Sequence, residues 1–84
     1  MLMQVLGSGC RRCNDLFDNV SAAAAQASGG DYTVEKVDDL DEFLRLGVRV
    51  TPALVLDGEV VSTGRVLTAD EVLVLVEERL DHAR

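Results

Sequence analysis

The sequence has no tryptophan, one proline, two cysteines and one histidine in 84 residues. Its only lysine is Lys36, one of eight basic residues set against 15 acids, for a formal net charge of −7. Such scarce positive charge argues against a protein that follows a phosphate backbone or an anionic membrane surface. Neither nucleic acid nor membrane is therefore an expected partner. No apolar run approaches the ~20 residues of a spanning helix. Met1 to Gly7 carries no basic start and no long apolar stretch, so no signal peptide is expected, and the default location is the cytoplasm. One histidine, His82, and two cysteines fall short of the four N or S ligands that structural zinc takes. No metal or cofactor is expected, although two copies sharing four cysteines is the zinc alternative; otherwise the chain is expected to be a monomer.

What is present is apolar content, at 48%. That is too much for a disordered chain, and the length suits one thin-cored domain over residues 1–84. Leu2 to Leu6 is a short apolar run before the turn signal Gly7-Ser8-Gly9, and it reads as a buried strand. From Cys10 the period becomes helical: Cys13, Leu16, Phe17, Val20, Ala24 and Ala27 share one face, while Arg11, Asn14, Asp15 and Asp18 share the other. Ser28-Gly29-Gly30 should end that helix. Tyr32 to Val37 alternates as a second strand. Asp39 with Glu42 reads as a capping box over a short helix, with Leu40, Phe43 and Leu44 as its apolar stripe and Gly47 as its stop.

Ala53 to Leu56, then Asp57-Gly58, then Val60 to Thr63 is a hairpin signal. Thr68 with Glu71 is a second capping box, opening a last helix to about Leu80. Val72 to Val76 has strand composition, but the cap and the segment length favour helix, which leaves Val74 or Leu75 partly exposed. The order is β-α-β-α-β-β-α. A right-handed crossover makes the first two strands parallel neighbours, with the first strand central and the second at an edge. The fold class is α/β: a mixed four-stranded sheet with flanking helices.

The cysteines carry the chemistry. Two cysteines placed at random in this chain would fall three apart in roughly 2% of cases, and here the pair also lies between a strand and a helix. A bridge over so short a loop constrains little of the unfolded chain, which points to chemistry over stability. Cys10 stands at the helix start, where unpaired N–H groups and the dipole favour a thiolate. Cys13, one turn on, shares the inward face, where burial raises a thiol pKa. One thiol to attack and one to resolve is the arrangement disulfide exchange needs. Arg11 and Arg12 either add positive charge beside the thiolate or are solvated surface, with Arg11 partly neutralised by Asp15 at i,i+4.

Strand–Cys-x-x-Cys–helix, followed by Val50-Thr51-Pro52-Ala53, the Asp57-Gly58 hairpin and Gly64, resembles the thioredoxin superfamily, and within it the small thioredoxin/glutaredoxin-like redox proteins of bacteria and archaea. The likeness runs from Met1 to about Leu80. It implies a thioredoxin-like fold and a dithiol–disulfide oxidoreductase acting on a disulfide- or dithiol-bearing protein, served by a reductase it does not identify. It implies Cys10 as attacking thiol, Cys13 as resolving thiol, and Pro52 as a cis-proline beside them. Thr51 would lend its backbone to a partner segment, and Gly9 and Gly64 would shape the site. The sequence departs from the thioredoxin pattern Trp-Cys-Gly-Pro-Cys, having Gly-Cys-Arg-Arg-Cys. It also places Gln4 where thioredoxins carry a buried acid, and Thr63-Gly64-Arg65-Val66 where glutaredoxins bind glutathione. The competing function is a non-catalytic binding module of the same fold, using the Thr51-Pro52 edge and the last helix.

Overall fold

The computed structural model describes residues 1–27 and 31–82. The elements run β1 (Leu2–Leu6), α1 (Arg11–Gln26), β2 (Thr33–Val37), α2 (Leu40–Leu46), β3 (Ala53–Leu56), β4 (Glu59–Thr63) and α3 (Ala69–His82). The four strands form one sheet in the order β2-β1-β3-β4. β1 is central, parallel to β2 with Leu6 opposite Val37, and antiparallel to β3 with Leu6 opposite Ala53. This is the expected α/β architecture, in the expected order.

Alternation along the central strands divides the core in two. Met3 and Val5 of β1 and Leu54 and Leu56 of β3 face Leu16, Val20 and Ala23 of α1 and Val72 and Val76 of α3. Leu6, Ala53 and Val55 point the other way, towards Val48, Phe43 and Leu46. All four β3 residues are buried, which explains why that strand is an unbroken apolar run with no alternation. The hairpin closes through Asp57 and Gly58 at φ 48° and 84°, the pair of positive values a tight two-residue turn requires. Asp57 then extends the central β1–β3 ladder: its N–H donates to the Leu2 carbonyl at 2.8 Å and its carboxylate accepts the Leu2 N–H at 2.7 Å. A register shift between Leu54 and Val55 leaves Val61 without a direct partner, a β-bulge that the sequence does not signal.

The two capping boxes fare differently. At α3 both halves form: Thr68 Oγ1 accepts the Glu71 N–H at 3.1 Å and the Glu71 carboxylate accepts the Thr68 N–H at 3.0 Å. At α2 only half forms. Asp39 accepts the Asp41 N–H at 2.9 Å, but the Glu42 carboxylate turns to Arg45 at 2.6 Å. The expected apolar stripe of α2 is also corrected. Phe43 is half-buried, whereas Leu40 and Leu44 are 66% and 68% exposed. A seven-residue helix covers too little of the sheet to bury a full stripe.

Gly47 ends α2 in the left-handed region, as expected. α1 ends at Gln26 with Ala27 as its cap, while the stop expected at residues 28–30 lies outside the described residues. α3 is helical through Val72 to Val76, and Val74 is its exposed apolar residue at 53%. β2 begins at Thr33, one residue after the expected start, and α3 runs two past Leu80; element ends shift by this much between criteria. Among the described residues no helix is long and apolar enough to cross a membrane.

Candidate active site

The site begins where β1 runs out. The Gly7 N–H continues the ladder, donating to the Val37 carbonyl at 2.9 Å, and the chain then turns through Gly9 at φ 82° into α1. A left-handed φ of this size is open to glycine at little cost. Cys10 is the N-cap of α1, in extended conformation, and its carbonyl accepts the Asn14 N–H at 3.0 Å to start the helix. The capping side-chain acceptor is a sulfur: Cys10 Sγ receives the Cys13 N–H at 3.4 Å. Oxygen side chains usually occupy this position, so the chain has put a thiol where a helix satisfies its orphan donors.

The two cysteines divide as their positions dictate. Cys10 is exposed and Cys13 is buried at 4% exposure, both are free thiols, and the sulfurs share a hydrogen bond at 2.7 Å. The Cys10 pKa is lowered, first by the Cys13 thiol, then by the Cys13 N–H, with the Arg12 N–H adding to them. The Cys13 pKa is raised, first by burial, then by its hydrogen bond to Cys10 and the charge that Cys10 carries. The helix N-terminus thus acts on one sulfur and the apolar interior on the other.

Cys13 owes its place to a residue the sequence offers only as a turn signal. A Cβ built on Gly7 would stand 2.2 Å from Cys13 Sγ and 2.7 Å from Cys13 Cβ. Gly7 is therefore the floor on which the second sulfur rests. No periodicity reveals this, because the contact joins the end of a strand to the first turn of the next helix. Asn14 is a second unforeseen participant. It accepts from Lys36 Nζ at 3.0 Å and donates to the Gly9 carbonyl at 3.4 Å, joining β2 to the loop, while Lys36 also lies 4.7 Å above the Phe17 ring.

The Thr51–Pro52 peptide bond is cis, and Pro52 is fully buried. Since Leu6 pairs with Ala53, Pro52 comes next to Gly7 at the end of the same ladder. Gly64, at φ 71°, donates its N–H to the Pro52 carbonyl at 2.8 Å and accepts Arg12 Nη2 on its own carbonyl at 2.8 Å. A chain of contacts therefore runs from the Cys-Arg-Arg-Cys turn through Arg12 and Gly64 to Pro52. Thr51 stands outside β3, and among the described residues its N–H and C=O take no part in the backbone bonds of this end of the sheet. Val50, 56% exposed, lies against Gly64, where an added Cβ would meet its Cγ1 at 2.8 Å. Arg11 is exposed and makes no ion pair with Asp15. Neither arginine's charge is among the causes that lower the Cys10 pKa.

Gln4 sits in the middle of β1, half-exposed, with its amide 3.4 Å from Glu35. Among the described residues no group of three or more His, Cys, Asp or Glu side chains could hold a metal ion.

A central strand that ends in a thiol-capped helix, beside a cis-proline loop, is the site of a thioredoxin-like redox protein. The chain matches the thioredoxin domain family over residues 1–77 and belongs to that family. It is 35% identical over 72 residues to a thioredoxin of Methanothermobacter thermautotrophicus, covering 86% of this chain and 92% of that protein. It is 31% identical over 72 residues to a thioredoxin of Methanocaldococcus jannaschii, covering 86% of this chain and 81% of that one. The chain is accordingly a thiol–disulfide oxidoreductase in class.

Proposed function

We propose that the protein exchanges electrons with a disulfide- or dithiol-bearing protein through the Cys10-Arg11-Arg12-Cys13 pair. The observation that carries this reading is the asymmetry of the two thiols: one exposed with a lowered pKa, the other buried with a raised one, in hydrogen-bond contact. In the reducing direction the Cys10 thiolate attacks one sulfur of the partner's disulfide. That S–S bond breaks, and the other partner sulfur leaves as a thiolate that takes a proton from water. Cys13 then loses its proton to solvent and attacks Cys10 Sγ. The Cys10–Cys13 bond forms, the mixed disulfide breaks, and the second partner sulfur leaves and is protonated. Two electrons pass to the partner, and a reductase that reduces the Cys10–Cys13 disulfide returns them. Proximity within one helical turn gives the second step a high effective concentration.

The remaining residues serve docking. The open backbone of Thr51 is suited to pair with an extended segment of the partner, beside Pro52. Val50 and Gly64 border that segment, and Gly9 lets the loop present Cys10. Arg11 and Arg12 flank the attacking sulfur. The cytoplasm, which keeps thiols reduced, is the compartment in which such a dithiol works as a reductant.

The test uses the reduced full-length protein and a disulfide-bonded protein substrate. Cys10→Ser is expected to lower reduction to the uncatalysed rate. Cys13→Ser is expected to form one equivalent of mixed disulfide and stop there, visible as the summed mass. Exchange that survives Cys10→Ser overturns the assignment and favours the binding-module reading. The same Cys13→Ser variant, exposed to a cell lysate, would retain physiological partners covalently.

A further inference from the structure

Arginine is distributed unevenly in this acidic chain. Arg11 and Arg12 open α1, Arg49 precedes Val50-Thr51-Pro52, and Arg65 follows Gly64, so four of the seven arginines lie on three segments at one end of the sheet. Their pairing differs from that of arginines elsewhere. Arg45 and Arg79, away from the site, hold carboxylates at 2.6 and 2.8 Å. At the site only Arg65 has a carboxylate, Glu71 at a longer 3.3 Å. Among the described residues Arg11, Arg12 and Arg49 have none within ion-pair distance. Four acids, Asp38, Asp39, Asp41 and Glu42, follow β2, while Glu71 stands beside Arg65 and Asp15 lies one turn beyond Arg11 on α1. With the strands in the order β2-β1-β3-β4, the segment after β2 carries four acids, whereas Arg49 precedes β3 and Arg65 follows β4.

We propose that the partner presents a carboxylate beside its reacting cysteine, and that Arg12 receives it. The inference rests on the exchange reading and names the partner chemistry that reading leaves open. Arg12 is singled out by position. Its bond to the Gly64 carbonyl holds the guanidinium at the residue whose N–H donates to the Pro52 carbonyl, beside the path of a partner segment paired with Thr51. One neutral carbonyl satisfies one of the five N–H donors of a guanidinium, and a carboxylate accepts two such bonds with the added gain of opposite charge. The overall charge of −7 repels acidic molecules at long range, so the gain is local, not a general steering of anions.

The experiment uses three peptides, identical except for Glu, Gln or Lys on both sides of one cysteine, each joined through a disulfide to the same chromogenic aromatic thiol. Single-turnover release by the reduced protein is divided by release by dithiothreitol, which removes the effect of the flanking charge on the disulfide itself. The Glu peptide is expected to react about two- to fivefold faster than the Gln peptide, and the Lys peptide slower than Gln by a similar factor. The Glu-to-Gln ratio is expected to fall to about one in Arg12→Gln and to shrink in high salt, and to persist in Arg45→Gln, which removes the same charge elsewhere. A ratio of one in the unaltered protein, a ratio untouched by Arg12→Gln, or an equal fall in Arg45→Gln would overturn the proposal. A Gln peptide released no faster by the reduced protein than by its Cys10→Ser variant would instead overturn the exchange reading, and the carboxylate preference with it.

Discussion

Two junctions of this molecule are built alike and differ in what they can do. β1 and β2 are parallel neighbours, and each leads through a short turn into a helix whose N-cap side chain accepts a backbone N–H. At the first junction the cap is Cys10, and at the second it is Asp39. The helix after Cys10 has 16 residues and buries Cys13, Leu16, Val20 and Ala23, while the helix after Asp39 has seven and buries none. The first turn of α1 has no acid and begins Arg11-Arg12, whereas that of α2 carries Asp41 and Glu42. A helix N-terminus on a parallel strand is therefore not enough to make a redox site. The first junction adds a glycine floor at Gly7, a sheltered second sulfur, and a neighbouring loop from β3 that closes over the same end of the ladder.

The largest expected effect comes from removing the floor. Gly7→Ala drives a methyl into Cys13, and overpacking of this kind costs about 1–3 kcal/mol. Gly9→Ala meets open space and suffers only from its left-handed φ, about 1–2 kcal/mol. Urea unfolding of the two reduced variants separates these causes, because only Gly7→Ala should also make Cys13 accessible to alkylation. If Cys13 stays protected in Gly7→Ala, the floor is not what shelters it.

The junctions can be compared directly by moving the thiol. In a Cys10→Ser/Cys13→Ser background, Asp39→Cys places a sulfur at the second N-cap, among Asp38, Asp41 and Glu42. Cys10 of the unaltered reduced protein is expected to be alkylated near neutral pH on the order of tenfold faster. Its labelling should reach half-maximum below the ~8.5 of a free thiol, and that of Cys13 above it, because the helix donors favour one thiolate and burial disfavours the other. Equal labelling at the two junctions would mean that the N-terminus alone activates the sulfur.

The caps give a smaller effect. Thr68→Ala removes the closed box of α3 and should cost about 1 kcal/mol, against about 0.5 kcal/mol for Asp39→Ala, where only half a box exists. Glu71 adds a pH signature. The Thr68 N–H and hydroxyl, with Arg65 nearby, hold its carboxyl below the ordinary value. Its contribution to stability is therefore full above the ordinary carboxylate range and lost as pH falls through the lowered one. Glu71→Gln should flatten the acid limb of the stability curve, and an unchanged limb would show that the box is not closed in solution.

The smallest expected effect is on the redox couple. Replacing Arg11 and Arg12 by Gln removes charge that favours a thiolate at Cys10, so the dithiol form is less stabilised and the potential becomes more negative. Two exposed charges at a helix terminus should shift it by roughly 20 mV at low salt, and less as salt rises. Equilibration with a glutathione buffer measures it. A shift several times larger would give the arginines a weight that their absence from the causes of the Cys10 pKa does not suggest.

Much of the fold was legible because its elements have local causes. The Asp57-Gly58 turn, the Thr68–Glu71 box and the Gly47 stop each depend on residues a few positions apart, and the strand order follows from the handed crossover. The exposed Cys10 and buried Cys13 were legible for the same reason, since cap position and helical period are local. The Asp39–Glu42 box and the α2 stripe went wrong where a local pattern met a competitor: Arg45 took the Glu42 carboxylate, and the sheet offered no surface for Leu40 and Leu44.

Other features are decided only by contacts between distant segments. Gly7 lies beneath Cys13, Arg12 reaches Gly64 from 52 residues away, and the Gly64 N–H closes on Pro52. The sequence by itself determined that a paired thiol caps a helix behind a buried strand, because turn, cap and period are written within a few residues. Only the tertiary structure decided what surrounds those thiols, because the ladder that sets Gly7 next to Pro52, and the bond from Arg12 to Gly64, join residues that no local rule relates.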